Sequence, residues 1–125
     1  MAKKDDRPLD VGLAGLHGKD EASLVEWWKQ RFGLIVAIPQ DTARAGALTP
    51  QLRELSHITD LEERKRLMRS RLIAFAQLPH EQQRVLRETR QRAYDIDHAL
   101  LEADEQMVRE LLPQMDPSVR AAYPS

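Results

Sequence analysis

Apolar residues recur at every third or fourth position between residues 86 and 111, and this pattern constrains the fold more than any other feature. Such spacing puts the side chains on one face of a helix. We call this set the stripe: Leu86, Ala93, Ile96, Leu100, Ala103, Met107 and Leu111, with Thr89 between the first two. Pro79 precedes the stretch and Pro113 follows it. The sequence therefore predicts one helix over about residues 79–112, roughly 50 Å long at 1.5 Å per residue.

Four further signals predict where other helices begin, because short polar side chains cap helix starts and Pro fits the first turn. They are Asp20 for a helix to about Phe32, Thr49-Pro50 for a short helix to about His57, Thr59 with Glu62 for a helix to about Gln77, and Asp116-Pro117 for a last turn. Gly33 stands where the first helix is expected to stop. Residues 34–39 fit a buried strand or a helix, with helix or extended packing favoured, and residues 39–48 resemble a connector.

These elements predict an all-α fold in which a helical hairpin contains one long helix of about 30 residues, with shorter N-terminal helices packed across it. The short link at Leu78-Pro79 favours an antiparallel pairing of the two helices that it joins. A chain of 125 residues is the size of one domain. We therefore expect an irregular N-terminal arm over residues 1–19, whose Leu13 and Leu16 dock on the helices, and a single helical domain over residues 20–125.

Charge is unevenly distributed along the chain. Residues 61–92 hold nine Lys or Arg against four Asp or Glu, whereas residues 93–125 hold two against seven. We call the cations of the first stretch the basic arm: Arg64, Lys65, Arg66, Arg69, Arg71, Arg84, Arg87, Arg90 and Arg92. Because five of these charges lack a nearby anion in the sequence, we expect an anionic partner: the acidic end of a second copy, an acidic client protein or nucleic-acid phosphate.

The long helix also predicts self-association. A continuous stripe of this length is more than a chain of 125 residues can easily cover. Two copies laid antiparallel would place the basic arm of one beside the acidic end of the other, whereas a parallel pair would align like charges. The sequence therefore predicts an antiparallel homodimer with the stripe at its interface.

Catalytic and metal-binding patterns are absent from the sequence. The chain has no Cys, which excludes disulfides and thiolate chemistry, and no phosphate-binding loop, HExxH or nucleophile motif occurs. Asp95, His98, Glu102 and Glu105 share one helical face, but that face points away from the stripe, so we expect it to be solvated. We expect neither a cofactor, nor a metal, nor an enzyme.

Two segments resemble the LTxxQ signal of a family of small periplasmic stress chaperones and metal sensors. They are LTPQLREL at residues 48–55 and LPHEQQRVL at residues 78–86. In the second, Leu78 and Gln82 match the ends of the motif and Pro79 replaces its Thr. In the first, Leu48 and Thr49 match and Leu52 replaces the Gln. The resemblance implies an all-helical fold that forms thin antiparallel dimers with a basic concave face.

The expected function is that of a non-enzymatic helical protein–protein interaction module, such as an adaptor, an assembly factor or a chaperone-like regulatory subunit. The alternative is a nucleic-acid-associated protein that binds phosphate through the basic arm. The first ten residues lack the apolar core of a secretory signal, and no apolar run of 18 residues occurs, so we expect a cytoplasmic chain without a membrane span.

Overall fold

The computed structural model describes residues 13–16 and 18–123, and within these ranges the chain is all-α without a strand. The α-helices are α1 (Glu21–Val36), α2 (Asp41–His57), α3 (Leu61–Ala76), α4 (His80–Ile96), α5 (His98–Leu111) and α6 (Pro117–Ala121). Short 3₁₀ turns cover Leu13–Leu16 and Leu112–Gln114. The predicted fold class is confirmed, while most of the predicted N-terminal arm lies outside the described residues.

Several helix starts follow the capping signals in the sequence. The Asp20 carboxylate accepts a hydrogen bond from the backbone N–H of Ser23 at 2.9 Å and caps α1. Asp60, one residue after the predicted Thr59, accepts bonds from the N–H groups of Glu62 and Glu63 at 3.0 and 3.2 Å. Both caps satisfy backbone donors that a helix start leaves without a helical partner.

Three predictions in the N-terminal half are wrong. Helix α1 does not stop at Gly33 but continues to Val36, so residues 34–36 of the ambiguous segment are helical. Residues 41–48, expected to belong to a connector, are helical, because α2 begins at Asp41 rather than at Thr49-Pro50 and includes Pro50 in its interior. Thr49 is buried and its hydroxyl donates to the carbonyl of Ala45 at 2.7 Å, so it bonds back into the helix instead of capping a new one.

The predicted long helix is also wrong, because it is broken at Asp97 into α4 and α5. Asp97 leaves the helical conformation at φ −146° and ψ 86°, and its carboxylate accepts a bond from the N–H of Leu100 at 3.1 Å. The same carboxylate pairs with Arg53 of α2 at 3.4 Å. A cap and a tertiary ion pair therefore coincide at the break, and α5 packs on α2 and α4 instead of extending α4.

The helices pair differently from the predicted hairpin. Helix α3 packs mainly on α1, and α4 packs mainly on α2, so the helices joined at Leu78-Pro79 are not each other's main partners. Helices α1 and α2 have 16 and 17 residues and therefore differ from α4, with 17, by one residue at most. Trp28, Leu24 and Leu72 are completely buried in the resulting core. Leu13 and Leu16 also lie in it, with the N–H of Leu13 bonded to the Glu54 carboxylate at 3.2 Å.

None of the described helices combines the length and the apolar composition that crossing a membrane requires.

Candidate functional site

The centre of the candidate site is a buried ion-pair cluster of Asp104 with two arginines from the basic arm. The Arg71 guanidinium donates to both oxygens of the Asp104 carboxylate, at 2.7 and 2.9 Å, and Arg90 adds a bond at 3.0 Å. Asp104 is completely buried, and Arg71 is 6% exposed. Bidentate geometry makes such pairs strong and specific. The cluster joins α3, α4 and α5, and we refer to it as the Asp104 clasp.

Burial and charge oppose each other in the clasp. Burial alone would raise the pKa of Asp104, but Arg71 and then Arg90 hold this pKa below the ordinary value for aspartate. Burial would likewise lower the pKa of Arg71, whereas the Asp104 carboxylate raises it. Arg71 and Asp104 are therefore both charged at neutral pH, and they form a fixed pair of charges inside an apolar bundle.

Most of the other cations of the basic arm bond to groups of the same chain. On α4, Arg84 pairs with Glu81 and Glu88, and Arg92 pairs with Asp41 at 2.7 Å. On α3, Arg66 pairs with Glu63 at 3.0 Å and donates to the carbonyl of Lys19, and Arg69 pairs with Glu21 at 3.2 Å. Arg64 donates to the carbonyl of Ile58 at 3.2 Å. Lys65 is exposed. The chain therefore supplies most of the compensating groups that the sequence left unassigned.

A cavity of about 570 Å³ opens beside the clasp. Its lining comes from helices α1 to α5 and from the segments that follow α5 and α6: Phe32, Leu48, Leu52, Arg71, Phe75, Leu86, Arg87, Arg90, Glu105, Val108, Arg109, Leu112, Ala122 and Tyr123. We call this space the arginine cavity. Its volume falls in the range typical of ligand pockets, which are mostly apolar with a few placed polar groups.

The two ends of the arginine cavity differ in exposure. Phe32, Leu52 and Leu86 are each less than 5% exposed and form part of its floor, whereas Arg87 and Arg109 are exposed and stand at its mouth. Glu105 lies between the cations, 3.2 Å from Arg90 and 3.8 Å from Arg109. The cavity thus has an apolar floor and a mouth with more positive than negative groups.

Tyr123 contributes an aromatic wall and a phenol. Its ring lies 5.0 Å from the ring of Phe75, centroid to centroid. Burial raises the pKa of Tyr123 far above the ordinary value for tyrosine, and the nearby charges of Arg71 and Arg90 oppose this rise only in part. The phenol is therefore neutral at physiological pH.

The stripe is divided between buried and exposed positions. Leu86, Ala93, Leu100 and Leu111 are buried, Met107 is half-buried, and Ile96 and Ala103 are exposed. The break at Asp97 shifts the buried face of α5 to Leu100, Leu101, Asp104 and Leu111. In α4 the stripe is covered by α2, whose Arg44 donates to the Thr89 hydroxyl at 3.3 Å.

The polar face considered for a metal lies at the surface. Asp95, His98 and Glu102 are exposed, and the ring of His98 contacts that of Tyr94 at 4.0 Å between centroids. No group of three or more His, Asp or Glu side chains able to hold a metal occurs within the described part of the chain.

Arg71, Arg87 and Arg90 belong to the basic arm, but the sequence pattern does not show that they share a cavity. No sequence signal marks Val108, Arg109 and Tyr123 as lining residues, because their position depends on how α5 and α6 pack against α3 and α4. The one available signal was Asp97, an aspartate in the middle of a predicted helix, where such residues favour caps.

Comparison with known proteins adds no relative: no family model matches this chain, and neither a curated protein nor a solved structure matches it. The resemblance of residues 48–55 and 78–86 to the LTxxQ chaperones is thus not supported by a family match.

Proposed function

We propose that this chain is a non-enzymatic helical interaction module that binds an apolar group bearing an acid in the arginine cavity. The single observation that carries the proposal is the cavity itself, with apolar side chains on its floor and the exposed Arg87 and Arg109 at its mouth. Apolar surface supplies affinity in such sites, and a few charged groups orient the ligand. An adaptor or a chaperone-like subunit that recognises acidic apolar partners fits this arrangement.

The polar groups of the cavity favour binding over turnover. Glu105 is engaged by Arg90 and by Arg109, and so it is not poised as a general base. The Tyr123 phenol has a raised pKa and stays protonated at neutral pH. The remaining polar groups are guanidinium groups, which bind anions and do not act as nucleophiles.

Nucleic-acid binding through the basic arm has less support. Phosphate recognition needs several cations that are available on one surface. Here Arg71 is buried in the Asp104 clasp, and Arg84 and Arg92 pair with carboxylates of the same chain. Duplex DNA in a salt series provides the comparison: we expect weak binding that does not depend on Arg87 or Arg109.

Anilinonaphthalene sulfonate, an apolar fluorophore with an anionic group, is the direct probe of the proposal. We expect it to bind the native protein in a 1:1 complex with a rise in fluorescence. Ala122→Phe fills the cavity from its wall and should abolish the rise, while Ala121→Phe, at the exposed neighbouring position, should leave it unchanged.

Partly unfolded proteins also bind this dye, so both variants and the parent must first show matching near-ultraviolet circular dichroism. Equal dye binding by Ala122→Phe and Ala121→Phe, with both variants folded, would contradict the proposal. Tight, steeply salt-dependent DNA binding that is lost on changing the arginines would replace it with the nucleic-acid function.

A further inference from the structure

The floor of the arginine cavity accepts hydrocarbon only. Phe32, Leu48, Leu52, Phe75 and Leu86 form it, each less than a tenth exposed, and none carries a side-chain polar atom. A peptide backbone, a sugar or a base placed there would bury polar groups without hydrogen-bond partners, which is unfavourable. An occupant that reaches the floor therefore presents an apolar group to it.

Arg71 also lines the cavity, but its guanidinium is already committed. It forms two bonds to the Asp104 carboxylate, at 2.7 and 2.9 Å, which leaves it a wall of the cavity and not its anion receptor. Arg90 is committed in the same way to Asp104 and Glu105. The deep cations are thus satisfied by the protein's own carboxylates.

The cations at the mouth are not satisfied to the same degree. Arg87 forms no ion pair with the described residues, and its guanidinium stands 5.9 Å from the centre of the Phe75 ring. Arg109 has one ion pair, a long contact of 3.8 Å to Glu105, whose carboxylate is shared with Arg90. The mouth therefore offers two arginine forks to an anion, and this geometry suits the two oxygens of a carboxylate.

We propose that the arginine cavity holds an unbranched alkyl carboxylate of the fatty-acid class, with its chain on the Phe32 and Leu52 floor and its carboxylate at Arg87 and Arg109. This inference rests on the proposed function and specifies its ligand. A protein partner presents the same chemistry as a leucine side chain beside a glutamate. Such a side chain is shorter than a free alkyl chain and brings backbone amides to the mouth, so the free chain fills the cavity better.

Calorimetric titration with dodecanoate, below its micelle concentration, tests the assignment. We expect one site per chain. Dodecanol and dodecyltrimethylammonium keep the alkyl chain but replace the carboxylate, so each should bind at least tenfold more weakly, by about the contribution of one charge-assisted hydrogen bond. In a series from hexanoate upward, affinity should rise by about fourfold per added methylene until the cavity is full. A surface site would show no such limit.

Variants locate the ligand. Arg87→Gln and Arg109→Gln should each weaken dodecanoate binding by about tenfold, because each removes a charged donor. Arg84→Gln, three residues from Arg87 and outside the cavity lining, is the matched control and should leave binding unchanged. Ala122→Phe should lower the longest chain length that binds, whereas Ala121→Phe should not. Since these substituted side chains are exposed or half-buried, folding is checked by circular dichroism.

Each alternative result has a defined meaning. Equal binding of dodecanol, or unchanged binding by both arginine variants, overturns the carboxylate assignment. Tighter binding of dodecyl phosphate than of dodecanoate reassigns the head group. Tighter binding of an eight-residue peptide with two leucines flanked by glutamates makes a protein segment the ligand. If the fluorophore binds in the cavity and dodecanoate does not compete, this inference fails while the proposed function stands; if neither binds, both fail.

Discussion

At the scale of single residues, the Asp104 clasp is the most consequential feature. A buried charge that loses its partner is strongly destabilising, whereas replacing a whole buried pair by apolar groups is often neutral. Asp104 receives bonds from Arg71 and Arg90, so removing the carboxylate leaves Arg71 buried without its counter-ion.

We therefore predict that Asp104→Asn lowers the free energy of unfolding by about 3–5 kcal/mol. The double variant Arg71→Met with Asp104→Leu should lose less than half as much, because it buries no unpaired charge. Urea unfolding at pH 7 measures both. A double variant that is less stable than Asp104→Asn would show that the clasp stabilises the fold beyond its own desolvation cost.

The clasp also sets a pH dependence. Because the folded pKa of Asp104 lies below its unfolded value of about 3.9, the charged carboxylate stabilises the fold fully above that value. This contribution is lost as pH falls through about 4 toward the folded pKa. We predict a steady unfolding free energy from about pH 7 to 5 and a fall below about pH 4. The double variant lacks Asp104, so its fall should be smaller in parallel urea titrations; equal falls would assign the acid sensitivity to other carboxylates.

At the scale of elements, Asp97 decides how the second half of the chain folds. It caps α5 through the N–H of Leu100 and pairs with Arg53. Loss of a capping side chain costs about 1 kcal/mol, and the exposed ion pair adds little. We predict that Asp97→Ala lowers the free energy of unfolding by about 1 kcal/mol. Asp95→Ala removes an exposed carboxylate from the last turn of α4 and should lower the free energy of unfolding by less than about 0.5 kcal/mol.

The comparison of Asp97→Ala with Asp95→Ala also tests whether Asp97 itself causes the break between α4 and α5. If α4 and α5 fused into one straight helix without Asp97, helicity by circular dichroism would rise in Asp97→Ala and the arginine cavity would lose its α5 wall. A rise in helicity together with lost fluorophore binding would identify Asp97 as the residue that shapes the site. Unchanged stability in Asp97→Ala would instead assign the break to packing alone.

Local signals in the sequence predicted those elements that local chemistry decides. Asp20, Pro79 and the Asp116-Pro117 pair mark helix starts in the structure. Asp20 does so through a side-chain cap, whereas the other two starts are marked by a Pro at or next to the cap position. The first half of α2 was missed because Pro50 normally marks a helix start, whereas here it lies in a helix interior between the buried residues Thr49 and Gln51.

The candidate site was predictable only in its composition. The arginine-rich stretch was visible, and three of its members line the cavity. Their anions were sought outside the chain because the spacing in sequence between Arg71 and Asp104 hides a contact of 2.7 Å. Pairing of helices distant in sequence depends on packing of the whole bundle, which a one-dimensional charge pattern does not contain.

At the scale of the whole molecule, the two premises of the predicted antiparallel dimer do not hold. The helix is broken, and Leu86 and Ala93 of the α4 part of its stripe are buried in the core of one chain. Arg90 already contacts Asp104 and Glu105 within one chain, so part of the charge that was to orient two copies is used internally. The exposed large apolar side chains of the described residues, Leu34, Leu61 and Ile96, lie on three different helices.

Scattered apolar residues are normal on monomers and do not make an interface of the size that a stable dimer needs, about 1,200 Å² or more. We therefore predict that the chain is a monomer of 14.4 kDa by light scattering, with no increase in mass when the sample is concentrated at micromolar levels.

Ile96→Glu puts a charge on the exposed stripe position. It should leave the mass unchanged and should alter the free energy of unfolding by no more than about 0.5 kcal/mol. A doubled mass that Ile96→Glu reduces to that of one chain would restore the stripe as a dimer interface. A doubled mass that persists in Ile96→Glu but falls on adding dodecanoate would place the second copy at the arginine cavity.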